Sequence, residues 1–383
     1  YPHASQKPIS EKTRAFIQSH LGFRHENNIS FALNTIEKEP NNSLDTILDI
    51  YAACILHSLP ANASAKDKIE ALSHFIFFIQ QFHFPKNPSY QKYVDRYTTL
   101  SSVVGTKQGV CLGVSLLLYS LAQRLGVHLD IYTPHGHIIL GYEDQIIEPT
   151  ARGWDIEKEH YLIPGQKELK KREEKELLAL FLVNKASSML ERNEIEQAAE
   201  TYKKALLFAK NDLLLHEFFG VSLFLLGKKG EAKKHLQRSL ENKDHDFQGF
   251  NLASDILNKR IDKESIKLFF IHYGDRHQDH LEEKEALEKA LKRSPHSRCL
   301  LFSLYGIYEQ LSLKNKAHAC LEQLYKLDED HFLYTFLLAH AYAEEEDMQK
   351  ALFFLQKART IAEKKELSLR EIEESETLLL HQK

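Results

Sequence analysis

Apolar residues recur at helical spacing through the first part of the chain and define three segments. Phe16, Ile17 and Leu21 mark a helix over 11–33, after a loose arm at 1–10. Pro40-Asn41-Asn42-Ser43 breaks the chain. Leu44, Ile47, Leu48, Tyr51, Ile55 and Leu59 then follow with a helical period that Pro60 stops. Ser64 with Asp67 forms a capping box that opens a third helix along Ile69, Leu72, Phe75, Ile76, Ile79 and Phe82, ended by Pro85. Residues 84–99 are aromatic and polar, with Tyr90, Tyr93 and Tyr97, and read as an ordered loop packed on the domain. The apolar run from Leu112 to Leu125 is a helix closed by Gly126. After it the pattern changes to alternation over 127–132, 137–142 and 145–148, which predicts three strands, with Glu143-Asp144 as a tight turn.

The second half has a longer period. The charged run from Lys167 to Glu176 reads as a solvated helix. Ala198, Tyr202 and Ala205 are followed 34 residues later by Ala232, Leu236 and Ser239, and Ala186 by Gly220. Ala317, Leu321 and Leu324 recur at the same distance as Ala351, Leu355 and Ala358, and Tyr308 as Tyr342. Small residues at a 34-residue period, where two helices cross, resemble the tetratricopeptide (TPR) repeat. The turn proline of that family is absent from these copies; only Pro295 occupies such a place. The stretch 251–294 breaks the period and is expected to hold altered repeats or an insertion. A last helix over 366–382 would cap the stack with its polar face outward.

Composition narrows the function classes. With 383 residues the chain is long enough for two or three domains. Its net charge of −4 supplies no basic field for nucleic acid or an anionic membrane. No stretch reaches the ~18 apolar residues of a membrane span. The chain begins at Tyr1 and not at methionine, which leaves room for a removed leader and leaves localisation open. Cys54, Cys111, Cys299 and Cys320 match neither a zinc knuckle nor a CxxC pair. Cys54, Cys299 and Cys320 lie on apolar helical faces and read as core.

Cys111 differs from the other three. It follows Gly109-Val110 and opens a helix, which places the thiol among unpaired backbone N–H groups that favour an anion and could hold an oxyanion. Gln108 is a further candidate oxyanion donor. A two-residue turn at Glu143-Asp144 pairs Tyr142 with Gln145 and Ile139 with Glu148, so His137 lies on a diagonal from Glu148 of ~7–8 Å, within side-chain reach. His135 lies farther along. Cysteine nucleophile, histidine base and orienting carboxylate are the parts of acyl-transfer chemistry. Cys111, His135 and His137 could chelate zinc, but no second cysteine or acid of fitting spacing joins them, so no metal or cofactor is expected.

The order Gly109-Val110-Cys111, Arg124-Leu125-Gly126, His137 and Glu148-Pro149-Thr150 resembles the transglutaminase-like domain, a branch of the papain-like cysteine hydrolases. The resemblance covers roughly residues 65–165. It implies Cys111 as nucleophile, His137 as base and Glu148 as orienting acid. Glutamate stands where that family usually has aspartate. Ile139 stands where many members have tryptophan, which favours hydrolysis over cross-linking.

Together these readings predict an α+β transglutaminase-like, papain-like domain over 1–165 and an all-α TPR-like solenoid over 166–383. The expected activity is that of a cysteine peptidase or amidase, with a protein or peptide bound by the repeats and brought to the site. The rivals are a catalytically silent repeat scaffold and a cross-linking transglutaminase.

Overall fold

The computed structural model describes residues 28–37, 43–87, 90–153, 156–242, 245, 248–249 and 251–381. The arm at 1–10, most of the helix expected over 11–33, and Pro40 to Asn42 lie outside the described residues. The chain divides into two compact units, one of residues 1–161 with 170–181 and one of 162–169 with 182–383.

The first unit runs α1 (Ile29–Glu37), α2 (Ser43–His57), α3 (Ala65–His74), a 3₁₀ turn (Tyr90–Tyr97), α4 (Leu100–Thr106), α5 (Cys111–Arg124), β1 (Asp130–Thr133), β2 (Ile139–Tyr142), β3 (Gln145–Ile147), a second 3₁₀ turn (Lys158–Tyr161) and β4 (Lys170–Arg172). The run from Leu112 to Ala122 is apolar on nearly every face. Such a helix must be covered all round, and α5 is buried along that length. Helices α1 to α4 and strand β2 pack on it. Gly126 stops α5 at φ +69°, where the Val127 N–H turns back to the Ala122 carbonyl at 2.9 Å. The sheet is antiparallel throughout, in the order β3-β2-β1-β4, and Tyr142 pairs with Gln145 across the Glu143-Asp144 turn.

Four sequence readings need correction. The run 167–176 is not one solvated helix: Lys170–Arg172 adds a fourth strand beside β1, and a helix starts only at Glu174. An edge strand carries charged side chains because only one side of its ladder is paired. Here Lys171 meets Asp130 at 2.8 Å, and Arg172 donates to Thr133. Cys54 is exposed, because the buried stripe of α2 runs through Leu44, Leu48, Ala52 and Ile55. The helix from Ser64, with its capping box formed, widens after His74 into a π turn over Phe75–Ile79. That rotates Ile79 outward, to 57% exposure, although Phe82 is buried. The strands are also shorter than the alternation suggests: β1 starts at Asp130, and His137 precedes β2.

The second unit is helical. The unit boundary falls within α6 (Glu174–Glu191), after Phe181. Then come α7 (Ile195–Ala205), α8 (Leu213–Leu225), α9 (Lys229–Ser239), α10 (Leu252–Leu257), α11 (Lys263–Lys267), α12 (His277–Arg293), α13 (Arg298–Gln310), α14 (Lys314–Leu327), α15 (Phe332–Glu344), α16 (Met348–Lys364) and α17 (Arg370–His381). The 34-residue period is physical. A Cβ on Gly220 of α8 would sit 2.9 Å from Leu236 of α9, so a small residue is needed where these helices cross. Tyr308 donates to Glu288 at 2.8 Å, and one period later Tyr342 donates to Glu322 at 2.9 Å. Lys316 and Lys350 lie over those two rings.

The turn inside each hairpin also repeats. Asn193, Gly227, Ser312 and Glu346 all take positive φ, each closing a helix with a bond from the next N–H back to a carbonyl. Lys259 does the same between α10 and α11. The expected altered stretch thus contains a shortened hairpin followed by the long α12, which restores contact with α13.

Candidate active site

Cys111 is the first residue of α5, and Val110 is its N-cap. A valine cap offers no side-chain acceptor, so no cap competes for the first N–H groups of the helix. The approach to Cys111 is held by backbone bonds. His83 N–H donates to the Lys107 carbonyl (3.1 Å), Gly109 N–H to the His83 carbonyl (3.2 Å), and Val110 N–H to the Tyr97 carbonyl (3.0 Å). Gln108, half-buried, forms a single isolated parallel bridge with His83, and its N–H donates to the Thr106 hydroxyl.

Gly113, two residues into the helix, is required by that packing. A Cβ there would lie 2.1 Å from the Tyr97 carbonyl oxygen, which is backbone and cannot rotate away. Gly113→Ala is therefore expected to cost about 1–3 kcal/mol as overpacking and to displace the Tyr97 carbonyl from Val110. Urea denaturation of the variant checks this. An unchanged midpoint would show that the segment yields freely.

His137 stands in the lead-in to β2, after a turn in which its N–H donates to the Pro134 carbonyl (3.1 Å) and Gly136 takes φ +67°. Its Nε2 lies 3.1 Å and 2.9 Å from the two carboxylate oxygens of Glu148. With Nε2 committed there, Nδ1 is the ring nitrogen left, and the neighbouring Cys111 thiol is among the groups that favour charge on the ring. Burial disfavours charge on His137, but the contacts with Cys111 and Glu148 outweigh it and raise the imidazole to about 10.

Glu148 follows β3 and is 3% exposed. Burial alone would push its carboxyl up, yet the bonds from His137, Thr150 and Tyr161 hold it at about 2. Thr150 gives both its N–H (2.8 Å) and its hydroxyl (2.6 Å) to Oε1, and the Tyr161 hydroxyl gives one bond to Oε2 at 2.5 Å. Tyr161 also stacks on the His137 ring, with centroids 6.1 Å apart and planes 18° apart. Its own hydroxyl is shifted up by burial and by the carboxylate it serves.

The structure thus brings Cys111, His137 and Glu148 together, with Gln108 on the approach. His135 lies exposed in the turn before His137. Among the described residues no group of three or more His, Cys, Asp or Glu side chains converges as a metal site. Tyr161 was not singled out from the sequence: it sits in a short 3₁₀ turn with no periodicity to flag it. Thr150 appeared only as part of a motif. Tyr90 and Tyr97 pack edge to face, 6.5 Å apart.

Residues 42–200 match the family model described as the transglutaminase-like superfamily. No curated protein matches the chain. Among solved structures, residues 41 to the end of MamA from Desulfovibrio magneticus RS-1 align at 18% identity and a TM-score of 0.24, over 50% of this chain and 97% of that one. YrrB, described as a TPR protein with an unusual peptide-binding site, aligns at 19% identity and a TM-score of 0.22, over 48% of this chain and 86% of that one.

Proposed function

We propose that the transglutaminase-like domain of residues 42–200 is a thiol hydrolase that cleaves an amide bond, and that the helical repeats bind a protein or peptide. The observation that carries this reading is the His137 ring held through Nε2 by the buried, ionised Glu148, beside a Cys111 thiol at the uncapped start of α5. In this mechanism His137 takes the thiol proton at Nδ1. The thiolate attacks the amide carbon and forms a C–S bond, and the oxyanion is held by the uncapped first turn of α5, with Gln108 as a candidate second donor. The C–N bond breaks as the imidazolium returns its proton to the leaving amine. Water, deprotonated by His137, then attacks the thioester, and the C–S bond breaks to free the acid. Glu148 stays ionised throughout and holds Nε2–H, and with it the ring, in place.

The test uses a pool of acetylated peptide amides in ¹⁸O-labelled water, with a fluorescent primary amine added as a competing acceptor. Hydrolysis predicts new carboxyl termini carrying ¹⁸O and an acyl adduct on Cys111 after acid quenching. Both are absent from Cys111→Ala. Amine incorporation without ¹⁸O would assign cross-linking instead. Neither product nor adduct would leave a repeat scaffold with an idle fold.

A further inference from the structure

We propose that a cleft beside the candidate active site selects an acidic residue in the peptide that Cys111 attacks. This rests on the thiol-hydrolase reading above and assigns its substrate class. The cleft has a volume of about 350 Å³, and its lining includes Phe77, Phe78, Gln81, His83, Lys86 and Arg152.

Its walls are fixed to both arms of the site. On one side, His83 is bonded in both directions to the segment that leads into Cys111, through Lys107 and Gly109. On the other, Arg152 lies two residues beyond Thr150, which holds Glu148. The next residue, Gly153, donates its N–H to the Glu148 carbonyl at 2.8 Å. A Cβ on Gly153 would come within 2.9 Å of the Phe77 ring, so this loop is pressed against the aromatic wall. A group seated in the cleft therefore touches segments that continue directly to the thiol and to the carboxylate.

The lining has one sign of charge. Among the described residues it contains no Asp or Glu. Lys86 and Arg152 are exposed and make no ion pair among the described residues. Phe78 is 54% exposed on the π turn. Two lining residues that are not glycine, Gln81 and Arg152, take left-handed backbone at φ +59° and +58°. Gln81 closes the π turn, where the Phe82 N–H turns back to the Ile76 carbonyl at 3.0 Å. Two cations with no acidic partner among the described residues, beside an exposed aromatic surface, fit a side chain with an apolar stem and a terminal carboxylate, which glutamate has.

The experiment compares two thiol-alkylating probes, acetyl-Ala-Glu-Ala and acetyl-Ala-Gln-Ala chloromethyl ketones, which differ in charge and hardly in shape. Alkylation of Cys111 is read by peptide mass mapping at pH 8.5, where an ordinary thiol also reacts. The preference of the cleft is then measured whether or not the thiol is activated. Iodoacetamide at pH 6 on the same protein reports activation separately. The glutamyl probe is expected to react about tenfold faster than the glutaminyl probe at low salt, with the ratio shrinking in ~0.5 M salt. In Lys86→Gln/Arg152→Gln the ratio, measured within that variant, is expected to fall near one. Equal rates in the unaltered protein, or a preference that survives the double substitution, would overturn the assignment.

Discussion

Arg124→Ala is expected to destabilise the first unit by about 3–5 kcal/mol, the loss typical of stripping one partner from a buried charge cluster. The guanidinium has no solvent contact. Its Nε donates to Asp49 at 2.8 Å, one terminal nitrogen to Asp45 at 2.7 Å, and the other to the Ser30 hydroxyl and the Ser120 carbonyl. Ser30 in turn donates to Asp45 at 2.6 Å. One side chain at the end of α5 therefore ties α1 and α2 to the helix that begins with Cys111. Removing it leaves two carboxylates buried without their cation. Urea denaturation measures the loss. Replacing all three charges together, as Asp45→Leu/Asp49→Leu/Arg124→Met, should recover part of the stability, since no charge is then left unpaired, while the Ser30 hydroxyl and the Asn34 amide lose their Asp45 partner. A loss under about 1 kcal/mol for Arg124→Ala would show that the cluster is solvated and contributes like a surface pair.

Glu148→Gln is expected to slow amide hydrolysis by about 10²–10⁴-fold, the usual contribution of a positioned acid–base pair, and to cost about 2–3 kcal/mol of stability. Four hydrogen-bond donors converge on this carboxylate: the His137 ring, the Thr150 N–H, and the Thr150 and Tyr161 hydroxyls. An amide nitrogen in place of either oxygen sets donor against donor. It also removes the charge that holds the imidazolium. The pH dependence follows from the two shifted groups. Glu148, held at about 2, contributes fully above its ordinary value near 4.5, and that contribution is lost as pH falls toward 2. His137, raised to about 10, contributes fully below 6.5, and that contribution is lost as pH rises through 10. The stability gap between the unaltered protein and Glu148→Gln is therefore widest between pH 4.5 and 6.5 and closes in acid. A gap that widens below pH 4 would contradict this assignment of charge.

The site was legible where local rules decide geometry. A glycine before an apolar run set where α5 begins, and so which residue meets its bare N–H groups. A two-residue turn set the β2–β3 register, and with it the diagonal from His137 to Glu148. The parts that were not legible depend on tertiary contact. Tyr161 reaches Glu148 from a turn that no period marks. Lys170–Arg172 carries no apolar alternation, because an edge strand needs none. Ile79 faces solvent because one wide turn rotates the helix face after Phe75, which side-chain pattern alone does not encode. In the repeats, small residues at helix crossings revealed the period. The hairpin at Lys259 was hidden because its two helices are too short to repeat those residues.

The most direct test of a thiol–imidazole pair is the rate at which iodoacetamide alkylates Cys111 from pH 5 to 9, resolved by mass mapping, in the unaltered protein and in His137→Ala. Exposed Cys54 serves as the reference thiol in the same tube. The pair predicts that Cys111 reacts at pH 6 at least about tenfold faster than Cys54, and that His137→Ala removes this low-pH limb. If Cys111 reacts only near pH 8.5 and His137→Ala changes nothing, the pair does not exist and the domain carries its fold without the chemistry.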